Sequence, residues 1–361
     1  MSLSQTDILN ALRQVQEPEL HKDLVTLNMI RELTLDGGDV RFTVMLTTPA
    51  CPLRGQIQEE ARQAVLKVPG VKTVEVKLGA EVNKDNRLSD NKALPAGVKN
   101  IIAVASGKGG VGKSTTAVNL AVALQQSGAR VGLIDADIYG PNIPMMMGIS
   151  EKERPAVNAE EQLVPFEHYG VKVMSIGFLV DPGKPIIWRG PMLHGVIRQF
   201  LGSVQWGDLD YLIVDLPPGT GDASLSLVQS VPLTGAVIVT TPQAVALSDV
   251  RRSIAMFKEV RVPILGLVEN MAGLECPHCH KTVELYEGGG GAVLSREFDV
   301  PLLGQVPFDP SIGHSGDAGK PIVLSQPESA QAKAFRKTAE WVAARVSVLN
   351  AGAESPLIQI S

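Results

Sequence analysis

Ser106-Gly107-Lys108-Gly109-Gly110-Val111-Gly112-Lys113-Ser114-Thr115 is the stretch from which the rest of this chain can be read. Before it, Ile101-Ile102-Ala103-Val104-Ala105 is an unbroken apolar run, the signature of a strand buried on both faces. After it, Ala117, Leu120, Ala121 and Leu124 recur at helical spacing, and Gly128 supplies a stop. Strand, glycine-rich turn and helix together turn a G-x-x-x-x-G-K-[ST] match into a phosphate-binding loop. Glycines let successive backbone N–H groups turn inward around an anion, and the helix offers its positive end. The spacing assigns Gly107, Gly109, Gly110, Val111, Gly112 and Thr115 to the cradle, Lys113 to the β and γ phosphates, and Ser114 to Mg²⁺. A glycine-rich turn that binds nothing would not need both flanks to agree. The second lysine, Lys108, is not required by the general pattern, and a long cation in a loop is ordinarily just solvated.

From Val98 onward strands alternate with helical segments, at Ile101–Ala105, Val131–Asp135, Val171–Ile176, Tyr211–Asp215, Ala236–Thr240, Pro263–Glu269 and Leu302–Val306. This alternation predicts an α/β fold, a mostly parallel, doubly wound sheet with helices on both faces, whose ligands bind beyond the carboxyl ends of the strands. Two strands end in acid there. Val131-Gly132-Leu133-Ile134 runs into Asp135-Ala136-Asp137, and Tyr211-Leu212-Ile213-Val214 into Asp215-Leu216-Pro217-Pro218-Gly219-Thr220-Gly221-Asp222. An apolar strand closing on Asp is the Walker B pattern, which assigns Asp215 to Mg²⁺ through a water. For Asp137 and Asp222 a helix-capping role competes. Glu269-Asn270 closes a further strand and Pro307-Phe308-Asp309 follows the last; Asn270 and Pro307 are candidate contacts to a base, although Asn270 fits a turn equally well.

Residues 1–80 read as a small N-terminal α+β domain of order α-β-β-α-β. Ser4 caps a helix carrying Ile8, Leu9, Leu12 and Val15; Leu27 to Leu35 and Val40 to Leu46 flank the turn Asp36-Gly37-Gly38-Asp39; a helix from Leu53 to Leu66 stops at Pro69-Gly70; Val71 to Leu78 is the last strand. In Thr47-Thr48-Pro49-Ala50-Cys51-Pro52 a cysteine precedes a helix, where a thiolate is favoured, against the plain alternative of a small buried residue. Residues 81–97 are polar and aperiodic and read as a linker, leaving 98–361 as the large domain.

Cys276-Pro277-His278-Cys279 aims two sulfurs at one point. A thioredoxin-like pair needs a helix start after its first strand; a structural zinc needs four ligands, with His278 and His280 awkwardly placed; an iron–sulfur cluster also needs four thiolates, which two copies of the chain supply. Three cysteines in 361 residues make no disulfide framework. The net charge of −5 argues against a general nucleic-acid binder, no apolar run spans a bilayer, and no signal peptide is visible, so a cytoplasmic protein with no membrane or nucleic-acid partner is expected.

Lys108 to Ser114 resembles the deviant phosphate loop of the ParA/MinD-like ATPases. With Asp135 to Asn142, Asp215 to Asp222, Glu269-Asn270-Met271 and the C-P-x-C, nearly the whole chain resembles the Mrp/ApbC-type iron–sulfur cluster carrier ATPases, of the deviant Walker A P-loop NTPase type. The N-terminal part resembles the SufT-like accessory domain of iron–sulfur assembly through T-x-P-x-C-P, with Glu17-Pro18-Glu19 where that domain has D-P-E. The resemblance implies an ATP-hydrolysing homodimer that holds a 4Fe–4S cluster on Cys276 and Cys279 of both chains. Such a carrier receives the cluster from an assembly scaffold and passes it to apo iron–sulfur proteins. It further implies that Lys108 reaches across the dimer to the partner's nucleotide, that Asp137 positions the attacking water, that the backbone of Gly219 lies at the γ-phosphate, and that Asn270 contacts adenine. One departure is Tyr286-Glu287-Gly288-Gly289-Gly290-Gly291, where members usually show Phe-Gly before the glycines; these glycines read as a flexible connector in preference to a second anion nest. Met145-Met146-Met147 reads as a helix on the sheet, not a soft-metal site, and the helix Ala330–Leu349, striped by Phe335, Ala339, Val342 and Val346, as packing on the core. The rival functions are a partitioning or positioning switch, which needs a basic or amphipathic terminus, and a zinc-stapled nucleotide-dependent scaffold.

Overall fold

Nine strands lie in one sheet and three in another in the computed structural model, which describes residues 3–88, 95–150, 152–179, 190–276, 278–279, 281–286 and 289–352. The chain divides into two units, one of residues up to Asn83 plus the described residues from Ala343, the other Lys84–Val342.

The first unit begins with α1 (Gln5–Leu12), whose N-terminus is closed by a capping box: the Asp7 N–H donates to Ser4 Oγ and the Ser4 N–H to Asp7 Oδ2, at 3.3 and 3.1 Å. A two-rung ribbon follows, β1 (Gln16–Glu17) and β2 (Lys22–Asp23), too short for any periodicity to announce it. Then come β3 (Ile30–Asp36), β4 (Asp39–Leu46), α2 (Arg54–Leu66) and β5 (Thr73–Ala80). The strand expected from Leu27 starts at Ile30 because Asn28 turns the chain through φ 56°. β4 is central, antiparallel to β3 across the Gly37-Gly38 turn and parallel to β5. Ile8, Leu12, Phe42, Val44, Ile57 and Cys51 meet in one core, so Cys51 sits among apolar side chains. Glu17 is buried and accepts the Glu19 and Leu20 N–H groups. Burial and then the charge of Glu17 push the Glu19 carboxyl up to about 7.

The second unit starts with ordered chain. Asp85, inside the stretch expected as a linker, is buried and ion-paired at 2.7 Å to Arg87, which also donates to the Thr234 carbonyl. Its strands are β6 (Ile101–Ser106), β7 (Val131–Asp135), β8 (Phe166–His168), β9 (Val171–Ser175), β10 (Tyr211–Asp215), β11 (Gly235–Thr240), β12 (Ile264–Glu275), β13 (Thr282–Val283) and β14 (Leu302–Phe308). Their order is β13-β12-β11-β6-β10-β7-β9-β8, with β14 also on β12. All these pairings are parallel except the two ends, β8 on β9 and β13 on β12. The helices are α3 (Lys113–Gln126), α4 (Ile143–Met146), α5 (Gly190–Gly202), α6 (Asp222–Ser230), α7 (Ala244–Glu259), α8 (Gly290–Phe298), α9 (Pro310–Asp317), α10 (Ile322–Ser325) and α11 (Ala330–Asn350), whose residues from Ala343 count with the first unit. β6, β7, β10 and β11 are buried along their whole length, which is why each reads as a continuous apolar run. α3 ends where expected, with Gly128 at φ 103° just past its cap.

Three expectations change. β12 does not close at Glu269 but continues to Glu275, bending where Met271 and Gly273 take φ 59° and 88°. Pro307 lies inside β14, not after it. Gly290 and Gly291 are no connector: they open α8 behind the left-handed Gly289, and their missing side chains leave room for Leu247 and Glu269. Phe335, Ala339, Val342 and Val346 of α11 are all buried, as the stripe predicts. His280, weighed as a zinc ligand, Pro277, Glu287, Gly288 and the chain beyond Gly352 fall outside the described residues.

Candidate functional site

β10 lies between β6 and β7, so the sheet brings three carboxyl ends together: the glycine loop after β6, Asp215 ending β10 and Asp135 ending β7. Asp215 and Asp135 are paired in register. This is where an open parallel sheet presents a ligand crevice. The cleft there has a volume of about 500 Å³ and is lined by the loop, Asp137, Tyr139, Asn142, Met145 and Pro218. It is of a size to hold a nucleotide's phosphates and sugar.

The loop is fixed by close contacts. A Cβ on Gly107 would stand 2.4 Å from the backbone of Asp249 in α7, and one on Gly112 only 2.1 Å from Asn270 Nδ2. Gly110 and Gly112 sit at φ 80° and 86°. Gly112→Ala is therefore expected to cost at least about 1–3 kcal/mol through strain and clash, and to lower nucleotide affinity. Thermal unfolding and nucleotide titration check it; an unchanged melting temperature with full binding would contradict the packing.

Lys113 is almost wholly buried. Its Nζ lies 2.8 Å from Asp215 Oδ1, 3.2 Å from Asp137 Oδ2 and 3.2 Å from Ser114 Oγ. Burial draws its pKa down, but the charges of Asp215 and Asp137 outweigh that and hold it above the ordinary lysine value. Ser114 Oγ donates to Asp215 Oδ2 at 2.6 Å. Burial raises the Asp215 carboxyl, with Lys113 opposing. Asp135 is fully buried and accepts from the Asp137 and Ile143 N–H groups and from Ser175 Oγ. Burial and the charge of Asp215 push it up to about 8. The Asp137 side chain faces the cleft beside Lys113, so its role as a simple helix cap gives way to a place in this charge cluster.

The Gly219 N–H donates to the Ser106 carbonyl at 2.9 Å, which sets Gly219 against the loop's first turn. Asn270 is mid-strand, not in a turn, and its Nδ2 donates to the Val111 carbonyl at 2.9 Å. Lys108 Nζ donates to Gln243 Oε1 within its own chain at 3.2 Å. Asp135 stood out as a strand-end acid without a role of its own, and Gln243 was not singled out by its sequence pattern. Gln243 stands just past the carboxyl end of β11, a position the strand-end rule flags, in Thr240-Thr241-Pro242-Gln243.

Five residues after Asn270, β12 ends and Cys276 begins a turn closed by the Cys276 N–H donating to the Lys281 carbonyl at 3.0 Å. Leu274 pairs with Val283 at its base. Cys279 is exposed, Cys276 partly so, and no disulfide joins any of the three cysteines. The backbone N–H groups of His278 and then Cys279, with the Cys279 thiol, lower the Cys276 pKa and favour its thiolate.

A family model described as NUBPL iron-transfer P-loop NTPase matches residues 97–343, and an iron–sulfur cluster assembly protein model matches residues 5–78. An iron–sulfur cluster carrier protein of Synechocystis is 56% identical over 344 residues, 94% of this chain and 97% of that one. The chain belongs to the iron-transfer P-loop NTPases. Among solved structures, a nucleotide-binding protein from Archaeoglobus fulgidus in complex with ADP is 41% identical, with a TM-score of 0.58 over 66% of this chain and 92% of that one. The cell division ATPase MinD of Pyrococcus furiosus is 27% identical, with a TM-score of 0.52 over 67% of this chain and 98% of that one. These likenesses carry the fold class and ATPase character of the family to this chain. No helix among the described residues is long and apolar enough to cross a membrane.

Proposed function

We propose that this iron–sulfur cluster carrier works as a cytoplasmic homodimer that loads one 4Fe–4S cluster between its two chains from an assembly scaffold and delivers it to apo iron–sulfur proteins, under the control of ATP. The chain is a P-loop ATPase of an iron–sulfur carrier family, and the cluster is its cargo. One observation carries the reading. β12 braces the phosphate loop through Asn270 and ends one residue before Cys276, so a single strand touches both sites.

Lys113 and the loop N–H groups neutralise the phosphates, Asp137 orients the attacking water, and Gly219, beside the loop, lies where a γ-phosphate would be sensed. Ser114 and Asp215 offer hard oxygens 2.6 Å apart, a donor set that suits Mg²⁺, which when bound neutralises charge on the phosphates. Asn270 and Pro307 are assigned to the base, Asn270 through whatever its bond to Val111 leaves available. The two-domain division, with residues 1–80 as a SufT-like accessory module and 98–361 as the ATPase, is part of the same reading.

Anaerobic reconstitution tests it: the purified chain is expected to gain broad absorbance near about 400 nm with about four iron and four sulfide per two chains. A colourless protein carrying zinc would favour the scaffold alternative.

The role of Lys108 has its own test. Lys108→Ala is expected to lose hydrolysis while keeping much of its nucleotide binding, and mixing it with a Lys113-deficient chain should restore one competent site per mixed dimer. Turnover unchanged in Lys108→Ala, or no recovery on mixing, would remove the cross-dimer role.

A further inference from the structure

Lys108 is held twice, at its backbone and at its tip. Its carbonyl accepts from Ser106 Oγ at 3.0 Å, and Gly107 before it is wedged against the Asp249-Val250 backbone of α7. The backbone is therefore fixed, and the movable part is the four-carbon side chain, whose Nζ donates to Gln243 Oε1. Gln243 stands at the N-cap of α7 without using its side chain as a cap, so both ends of its amide are free to bridge. Its Nε2 donates to the Tyr286 hydroxyl at 2.8 Å. Tyr286 follows β13 by three residues, and β13 closes the hairpin that presents Cys276 and Cys279. The tyrosine also borders a cavity of about 140 Å³ lined with Pro242, Glu269 and Gln305, which gives its segment room to shift. Lys108, Gln243 and Tyr286 thus form one hydrogen-bonded line from the phosphate loop to the cysteine hairpin.

We propose that Gln243 and Tyr286 are positioning residues that couple the nucleotide site to the cysteine hairpin by holding Lys108 in competition with the nucleotide. The inference rests on the reading that Lys108 serves a phosphate. An ammonium paired with an ionised phosphate oxygen gains the attraction of opposite charges, which a neutral amide carbonyl does not offer. Nucleotide therefore draws Lys108 off Gln243. The Gln243 amide, its acceptor oxygen now without the lysine, reorients, and the Tyr286 hydroxyl loses its fixed partner. The hairpin base loosens as the lysine leaves. Linkage requires the converse as well: whatever orders the hairpin must alter nucleotide affinity by the same factor.

The test uses the full, reduced, cluster-free chain and reads the alkylation rates of Cys276 and Cys279 by peptide mass, with and without magnesium and a non-hydrolysable ATP analogue. In the natural chain the analogue is expected to raise the rates about threefold to tenfold, the factor that one neutral hydrogen bond commands. Tyr286→Phe, which removes only the hydroxyl, should label at the raised rate without the analogue, so that the ratio falls to about one, and by linkage should bind the analogue more tightly by up to the same threefold to tenfold factor. Gln243→Ala should behave the same way in labelling. Gln243→Glu should do the opposite, because its carboxylate pairs with Lys108 and accepts the Tyr286 hydroxyl; labelling stays at the slow rate even with the analogue, whose affinity drops. Natural-chain rates indifferent to the analogue, or a natural ratio retained in Tyr286→Phe and Gln243→Ala, would overturn the proposal. Iron and sulfide loading of the same preparations reports separately on the carrier reading: a chain that takes no cluster but shows the expected labelling ratios loses the cargo and keeps the relay.

Discussion

Lys113→Ala is expected to abolish ATP turnover and to weaken nucleotide binding by about a hundredfold or more. Each charge-assisted bond to a phosphate contributes about 1.5–3 kcal/mol, and the ammonium can make two, to the β and γ groups. The ammonium is also the counter-charge of two buried carboxylates, at 2.8 and 3.2 Å. Removing one partner of a buried pair leaves the other uncompensated, at about 3–5 kcal/mol. The variant should therefore also be less stable, and the deficit has a sign with pH. Asp215 is already raised above its ordinary value by burial, and without Lys113 the main opposition to that rise is gone, leaving the Ser114 hydrogen bond. A carboxyl whose folded pKa is raised keeps its proton in the folded chain at pH values where the unfolded chain has lost it, so stability falls as pH climbs through that window. The deficit should shrink at acid pH and widen toward neutral. Ser114→Ala, which leaves the ion pairs in place, separates the two effects: it should lose turnover with a much smaller stability change. Turnover in Lys113→Ala equal to that of the natural chain would refute the phosphate-loop assignment.

Cys276→Ala and Cys279→Ala are each expected to drop bound iron from about four per two chains to near zero, whereas Cys51→Ala should retain it. A cuboidal cluster takes four thiolates, and one C-x-x-C supplies two. At a two-fold axis the same patch meets itself, so two chains complete the set. Such a shared site opens when the dimer loosens, which suits cargo more than a fixed centre. The geometry favours release from the hairpin in a second way: Cys279 is exposed at a turn tip, anchored by one backbone bond and two rungs of β13. Cys51, in contrast, belongs to the apolar core of the N-terminal unit, and its loss should cost no more than a small cavity, about 1 kcal/mol. Iron and sulfide analysis on sized fractions is the measurement. A full cluster in the Cys276→Ala/Cys279→Ala double variant, or one held by an isolated monomer, would end the shared-site model.

The sequence by itself determined the parts whose information is local. A strand buried on both faces must be apolar throughout, so β6, β7, β10 and β11 could be read to within a residue. A loop that wraps an anion needs glycine where φ is positive, so Gly110 and Gly112 stood out, and the acids at the ends of β7 and β10 followed from where a parallel sheet leaves its crevice. Tertiary structure decided what depends on distant partners. Strand pairing carries β12 on to Glu275, because β14 and β13 satisfy its backbone beyond the apolar run, and this moves Asn270 from a turn to a brace under Val111. Packing explains why Gly290 and Gly291 are glycine: Leu247 and Glu269 occupy the space, and no local pattern states that. Electrostatics at the site is collective too. Asp135 reaches about 8 because the fold buries it beside Asp215, and Lys113 is held above the ordinary lysine value because the ends of β10 and β7 bring Asp215 and Asp137 to it. The partnership of Lys108, Gln243 and Tyr286 spans residues far apart in the chain, and a side-chain hydrogen bond between them leaves no trace in periodicity, composition or spacing.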